Sequence, residues 1–167
     1  AYRRLALWVV VATVITGAIG LTFQDRIERL FASAQTAAWM LWITGALLFL
    51  SDRVKGNRRR MEEMDLLDSV VLGFAQAVAL VPGISRSGTT IAVGIFRGLG
   101  RETAARFSFL LSIPAIGGAA LLKAGELMRT PAGDLPALGA GFLAAAVTGF
   151  LALKLLFALL NRTGLTP

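Results

Sequence analysis

The chain has no cysteine and no histidine in its 167 residues. Without cysteine there is no disulfide frame, and phosphatase chemistry through a cysteine nucleophile is excluded. Without histidine, this chain can use neither histidine-based catalysis nor histidine metal ligands. The membrane acid phosphatases that use a histidine nucleophile are excluded on the same ground. Acid is scarce too: 10 Asp and Glu stand against 17 Lys and Arg, for a net charge of +7. That excess could suit nucleic acid. The basic residues fall between apolar runs, however, where membrane topology places them, so no nucleic-acid partner is expected.

Apolar residues are what the chain has in abundance. Hydrophobic residues make up 56% of it, with 18 glycines, and the mean hydropathy is positive. This is a membrane-like composition. At this length one domain is expected, a single membrane domain over residues 1–167. The sequence opens at Ala1 and runs through Tyr2-Arg3-Arg4 into an apolar stretch. That stretch is too long for a signal peptide and lacks a small-residue cleavage site, so it reads as a span. The missing methionine is read as the mark of a piece of a longer protein.

The pattern predicts an all-α polytopic membrane protein with about four transmembrane helices and one re-entrant helix-loop-helix hairpin. The spans are placed at residues 5–21, 36–50, 103–122 and 137–160. Between the first two, Phe23, Ile27, Leu30 and Phe31 recur at helical spacing among charges, which predicts a short interfacial helix. Trp39 and Trp42 read as interface anchors. The hairpin covers residues 66–98. Its arms, 66–81 and 91–96, are too short to span, and Arg86 lies between them. A charge at the bilayer centre costs about 2.5–3.5 kcal/mol on insertion scales. Arms that enter from one face, with the loop buried in protein or lining a wet cavity, remove the conflict.

Charge counting supports that topology. One side collects Arg3, Arg4, Arg53, Lys55, Arg58, Arg59, Arg60, Arg97, Arg101 and Arg162. The other has Arg26, Arg29 and Arg129, with Lys123 near it. The richer side is predicted to be cytoplasmic. The acids that follow the basic loop, Glu62, Glu63, Asp65 and Asp68, admit two readings. One is a metal cluster. The other, which is preferred, is the solvated first turn of a helix, where acids suit the dipole.

The polar chemistry concentrates in Val81-Pro82-Gly83-Ile84-Ser85-Arg86-Ser87-Gly88-Thr89-Thr90. Pro82 and Gly83 stop a helix. Gly88 permits close backbone approach. Ser87 or Thr89 is predicted to cap a new helix starting around Thr90. The free N–H groups of that helix and its dipole make an anion site. Arg86 adds a fork of donors that fits phosphate oxygens. Arg86, Ser85 and Ser87 are the catalytic candidates. Gly83, Ile84, Gly88, Thr89, Thr90 and Gln76 are the substrate-binding candidates, although Gln76 also reads as a glutamine bonding between helices. The glycine spacing is that of a P-loop, but Thr89 replaces the lysine and no strand precedes it. A hydroxyl nucleophile (Ser85, Ser87 or Thr90) stays open, and no general base lies beside it in sequence.

Taken together, Pro82-Gly83-Ile84-Ser85-Arg86-Ser87-Gly88-Thr89-Thr90 resembles the signature of bacterial undecaprenyl-diphosphatases of the bacitracin-resistance type. The run from Gly73 through Gln76 to Leu80 and the run from Arg106 to Pro114 fit the same family. The resemblance implies a multi-pass plasma-membrane enzyme that removes the terminal phosphate of a polyprenyl diphosphate carrier used in cell-wall synthesis. It also implies two inverted repeats, each with a re-entrant hairpin, and a divalent cation, magnesium or calcium. Arg86 would bind the diphosphate, with Ser85, Ser87 and Thr90 completing that half of the pocket. The family's glutamate-rich first motif, with its serine and histidine, has no counterpart here. The chain therefore resembles the C-terminal portion, and the metal ligands are expected outside it. Expected partners are the polyprenyl diphosphate, membrane lipids and a second copy in a homodimer. The alternative is a transporter or flippase for an anionic polyprenyl lipid, since broken helices aimed at an anion also build transporters.

Overall fold

The computed structural model describes residues 2–56, 59–127, 131 and 134–162. Arg58 and Arg129, named above, lie outside them, as do the tail after Arg162 and part of the predicted loop between the last two spans. The described residues fold into seven α-helices: α1 (Tyr2–Thr22), α2 (Gln24–Phe31), α3 (Ala34–Asp52), α4 (Leu66–Val78), α5 (Arg86–Phe96), α6 (Arg101–Leu127) and α7 (Leu135–Arg162). A 3-10 turn at Met61–Glu63 leads into α4. Four helices are long and apolar enough to cross a membrane, over Arg3–Thr22, Ala34–Asp52, Arg101–Gly125 and Leu135–Leu156. The fold is all-α and polytopic. Helix α2 is the amphipathic connection, with no buried residue.

The chain forms two compact units, residues 1–118 and 119–167. The second holds the end of α6 and all of α7, whose described side chains are exposed. The first contains the hairpin and its supports.

Helix α4 is 13 residues long and α5 is 11. At 1.5 Å per residue they measure about 20 and 16 Å, short of a hydrocarbon layer of roughly 30 Å. They are antiparallel: Asp68 at the start of α4 accepts from Arg97 at the end of α5, over 2.9 Å. α1 packs along α4 with backbones nearly touching. A Cβ on Gly73 would meet the Ala12 carbonyl oxygen at 2.9 Å. Thr16 donates to the Gly73 carbonyl at 3.0 Å, and Ser69 donates to the Trp8 carbonyl. Small and hydroxyl residues serve this purpose in membrane helices, where close packing and interhelical hydrogen bonds replace the hydrophobic drive. Phe107, Met64, Leu72, Leu99 and Leu111 form a fully buried core between the hairpin and α6. Leu5 and Trp8 of α1, with Val54 and Met61, pack against it.

Two predicted boundaries change. The first arm ends as a helix at Val78 and passes through turns at Leu80 and Val81 before Pro82. A residue that precedes proline is disfavoured in helical conformation. The second arm begins at Arg86, not around Thr90, and its cap is Ser85, not Ser87 or Thr89. Ser85 is extended (φ −70°, ψ 118°), and its Oγ accepts from the Gly88 N–H at 3.1 Å. Gly88 makes this cap feasible, because a Cβ there would lie 2.9 Å from the same Oγ.

Candidate active site

The tip of the hairpin is held by α3. Thr44 Oγ1 accepts from the Ser85 N–H at 3.2 Å and lies 3.4 Å from the Gly83 carbonyl, to which it donates. Gly83 has φ +91°, and a Cβ on it would sit 2.2 Å from the Ala37 carbonyl oxygen. Glycine is required here twice, for backbone conformation and for space. Thr44 lies about 15 Å from one end of α3 and about 12 Å from the other, at 1.5 Å per residue. The Ser85–Arg86 step is therefore level with the middle of a membrane-length helix.

At that level α5 presents its N-terminus. The Gly88 N–H is taken by the Ser85 side chain and the Thr89 N–H by the Ser85 carbonyl at 2.9 Å. The N–H groups of Arg86 and Ser87 have no acceptor among the described residues. The Arg86 and Ser87 side chains are exposed, and no described group accepts from the Arg86 guanidinium. The remaining candidates are more enclosed. Gly83 and Ile84 are half-buried in the turn, and Gly88 and Thr89 are buried. Thr90 is 1% exposed. Its hydroxyl contacts the carbonyls of Arg86 (2.9 Å) and Ser87 (3.1 Å) and the Ser108 hydroxyl of α6. Thr90 and Ser108 thus lock the first turn of α5 from behind. Gln76 lies on the α4 stripe with Ser69 and Gly73, which faces α1. Its Nε2, and Thr89 Oγ1, are buried atoms without a partner among the described residues.

The outer end of the hairpin is closed by a charge clasp, outside the four spanning helices. The Asp68 side chain is fully buried. It accepts from Arg59 at 2.7 and 3.3 Å, from Arg97 Nε at 2.9 Å and from the Asp65 N–H at 3.1 Å. Asp65 caps α4 reciprocally, accepting from the Asp68 N–H at 2.7 Å. Arg59 also pairs its backbone with Gly98 and Gly100 and donates to the Arg97 carbonyl at 2.9 Å. Burial alone would raise the Asp68 pKa. Hydrogen bonds, from Arg59 foremost and then from the Asp65 backbone and Arg97, outweigh it and hold the carboxyl below its ordinary value. The same bond to Asp68 raises the Arg59 pKa.

The preferred reading of the four acids as a solvated turn therefore fails for Asp68 and holds for the exposed Glu62, Glu63 and Asp65. The metal-cluster reading finds no support: among the described residues no three carboxylates converge on a common point. Thr44, Ser108 and Asp68 were missed as supports of the site. The first two are single hydroxyls inside apolar spans, and the third was read only through its neighbours in sequence.

A family model described as bacitracin resistance protein BacA matches residues 1–167. An undecaprenyl-diphosphatase of Carboxydothermus hydrogenoformans is 50% identical over 121 residues, 72% of this chain and 46% of that protein. One from Syntrophotalea carbinolica is 46% identical over 131 residues, 78% of this chain and 49% of the relative. One from Methanobrevibacter smithii is 43% identical over 127 residues, 75% and 46%. The chain spans about half the length of the curated relatives it matches. A broken helical hairpin in a four-span membrane fold agrees with a match that runs from the first residue to the last, and the chain belongs to the bacitracin resistance protein BacA family.

Proposed function

We propose that the whole protein is an undecaprenyl-diphosphatase and that this chain carries the arginine–serine half of its site. The observation that carries this is Arg86 at the first position of α5. Its guanidinium is free of described partners, beside two open backbone N–H groups, at the mid-level of α3. Such a cluster binds phosphate oxygens. In the proposed reaction water replaces the bond between the terminal phosphorus and the bridging oxygen, releasing inorganic phosphate and the polyprenyl monophosphate. Arg86 and the α5 N-terminus orient the diphosphate and stabilise charge on the departing oxygens. Ser87, exposed beside Arg86, donates to the same group. Ser85 shapes the turn through its cap, and Thr90 with Ser108 keeps the turn from moving.

A divalent cation, magnesium or calcium, is part of the proposal. The described residues do not fit one, because no three carboxylates converge and Asp68 is engaged by Arg59 and Arg97. The roles given to this chain are those of binding and orienting.

The test is phosphate release from a polyprenyl diphosphate in detergent with magnesium or calcium. This chain is compared alone and joined to the first repeat of a relative. Activity in the joined protein, lost by about a hundred-fold or more in Arg86→Ala, is the expected result, since one preorganised donor contributes on that order. Near-normal turnover in Arg86→Ala would sink the assignment. Movement of the lipid without phosphate release would favour a transporter.

A further inference from the structure

Helices α5 and α6 meet along a seam of small residues. A Cβ on Gly94 would lie 3.0 Å from the Ala104 Cβ. One turn nearer the tip, Thr90 meets Ser108. Each step is four residues, back along α5 and forward along α6. The two contacts are therefore successive rungs of one antiparallel seam. The small rung brings the helices close, and the polar rung sits beneath the open end of α5. Ser108 is 3% exposed, and both rungs lie inside the first compact unit.

Counting protons gives the polar rung a direction. Each hydroxyl has one proton to donate and two lone pairs that accept. Thr90 is the one hydrogen-bond partner of Ser108 among the described residues. A buried hydroxyl proton without an acceptor is costly, so Ser108 donates to Thr90. The Thr90 proton then goes to the carbonyls beside it, the Arg86 oxygen at 2.9 Å ahead of the Ser87 oxygen at 3.1 Å. The Arg86 carbonyl shares its peptide unit with the Ser87 N–H, one of the two open donors of the α5 N-terminus. A donor on a peptide carbonyl draws charge from the N–H of the same unit, and hydrogen bonds in such chains strengthen one another in a low-dielectric interior.

We propose that Ser108 is a positioning residue of the anion site that acts through Thr90. A two-hydroxyl relay from α6 polarises the Arg86–Ser87 peptide and strengthens the Ser87 N–H as a donor to a phosphate oxygen. Ser108 then does more than hold the turn: it sets the strength of one donor. The relay serves the site only if the α5 N-terminus binds the diphosphate as proposed above, whereas its effect on the Ser87 N–H is present without ligand. The neighbouring Arg86 N–H is an internal control. Its peptide carbonyl, that of Ser85, accepts from the Thr89 N–H at 2.9 Å and stands outside the relay.

The test is amide NMR on the full isotope-labelled chain in detergent, read without ligand and then in titration with inorganic diphosphate. Ser108→Ala should move the ligand-free Ser87 amide proton upfield and leave that of Arg86 in place. Thr90→Val, which keeps the shape and removes the relay, should move it further in the same direction. Diphosphate should bind about three-fold more weakly to Ser108→Ala, the effect of a roughly 10–30% change in one charge-assisted hydrogen bond. Ser108→Cys fills the seam with a weaker donor and should fall between wild type and alanine, which keeps the test decisive if alanine loosens the helices. An unmoved Ser87 proton in Ser108→Ala, or equal movement of the Arg86 and Ser87 protons, would overturn the relay. So would wild-type diphosphate affinity in Ser108→Ala beside weakened binding in Arg86→Ala. A wild-type chain that does not respond to diphosphate, or an Arg86→Ala variant that binds it as well as wild type, would instead overturn the anion reading, and the role of the relay with it.

Discussion

Replacing Asp68 by asparagine keeps the shape of the side chain and removes its charge. In the clasp, four donors converge on two carboxylate oxygens: two from Arg59, one from Arg97 and one from the Asp65 backbone. An amide leaves one of those oxygens as an N–H₂ group facing donors, and leaves two guanidiniums without a counter-charge. Removing one member of a buried ion pair costs about 3–5 kcal/mol. The arginines are 32% and 30% exposed, so water softens their loss, and the lower end, about 3 kcal/mol, is the better figure. The assay is equilibrium unfolding in detergent, followed by helicity. The double variant Asp68→Asn/Arg97→Gln should recover part of the loss, because one stranded guanidinium is gone. The pH dependence has a fixed sign. The folded carboxyl titrates below its ordinary value, while the unfolded one titrates near 3.9. Its stabilisation is therefore full above the unfolded pKa and fades as pH falls through the folded one. The gap between wild type and Asp68→Asn should stay flat from about pH 8 to about pH 5 and close below about pH 4. A loss under about 1 kcal/mol at neutral pH, or a gap that narrows above about pH 5, would refute the clasp as described.

Gly83→Ala should be destabilising by more than the roughly 1–3 kcal/mol of backbone strain at its positive φ, since the new methyl also strikes the Ala37 carbonyl; unfolding in detergent measures it. Thr44→Val strands the Ser85 N–H, at about 1–3 kcal/mol, and should raise KM in the phosphate-release assay as the tip loosens. Asp52→Asn breaks an exposed pair with Arg101 and should shift unfolding by less than about 1 kcal/mol.

Much of this architecture could be read along the chain. The four spans appear as apolar runs, and α2 appears in the spacing of Phe23, Ile27, Leu30 and Phe31. The break in the hairpin follows from Pro82 and Gly83, and the tight approach at Gly88 from the absence of a side chain. The errors have a common origin in geometry that sequence does not display. Three hydroxyl residues compete to cap α5, and only the turn set by Gly83 decides for Ser85. The burial of Asp68 depends on Arg59 and Arg97, which lie 9 and 29 residues away. Ser108 and Thr44 sit alone in apolar stretches and gain meaning only when the tip is folded against them.

The close fit of α4 on α1 bears on how the protein is made. Thr16 and Gly73 are 57 residues apart in the chain, and two of the three helices that hold the hairpin, α1 and α3, leave the ribosome before it, while α6 follows. Neither arm is long enough to be threaded across the bilayer by itself. The hairpin must then enter laterally, by settling into a berth that its own N-terminal neighbours have already built. Synthesis order is thereby written into the structure, and a permuted gene that delivers the hairpin first would ask it to wait without a berth.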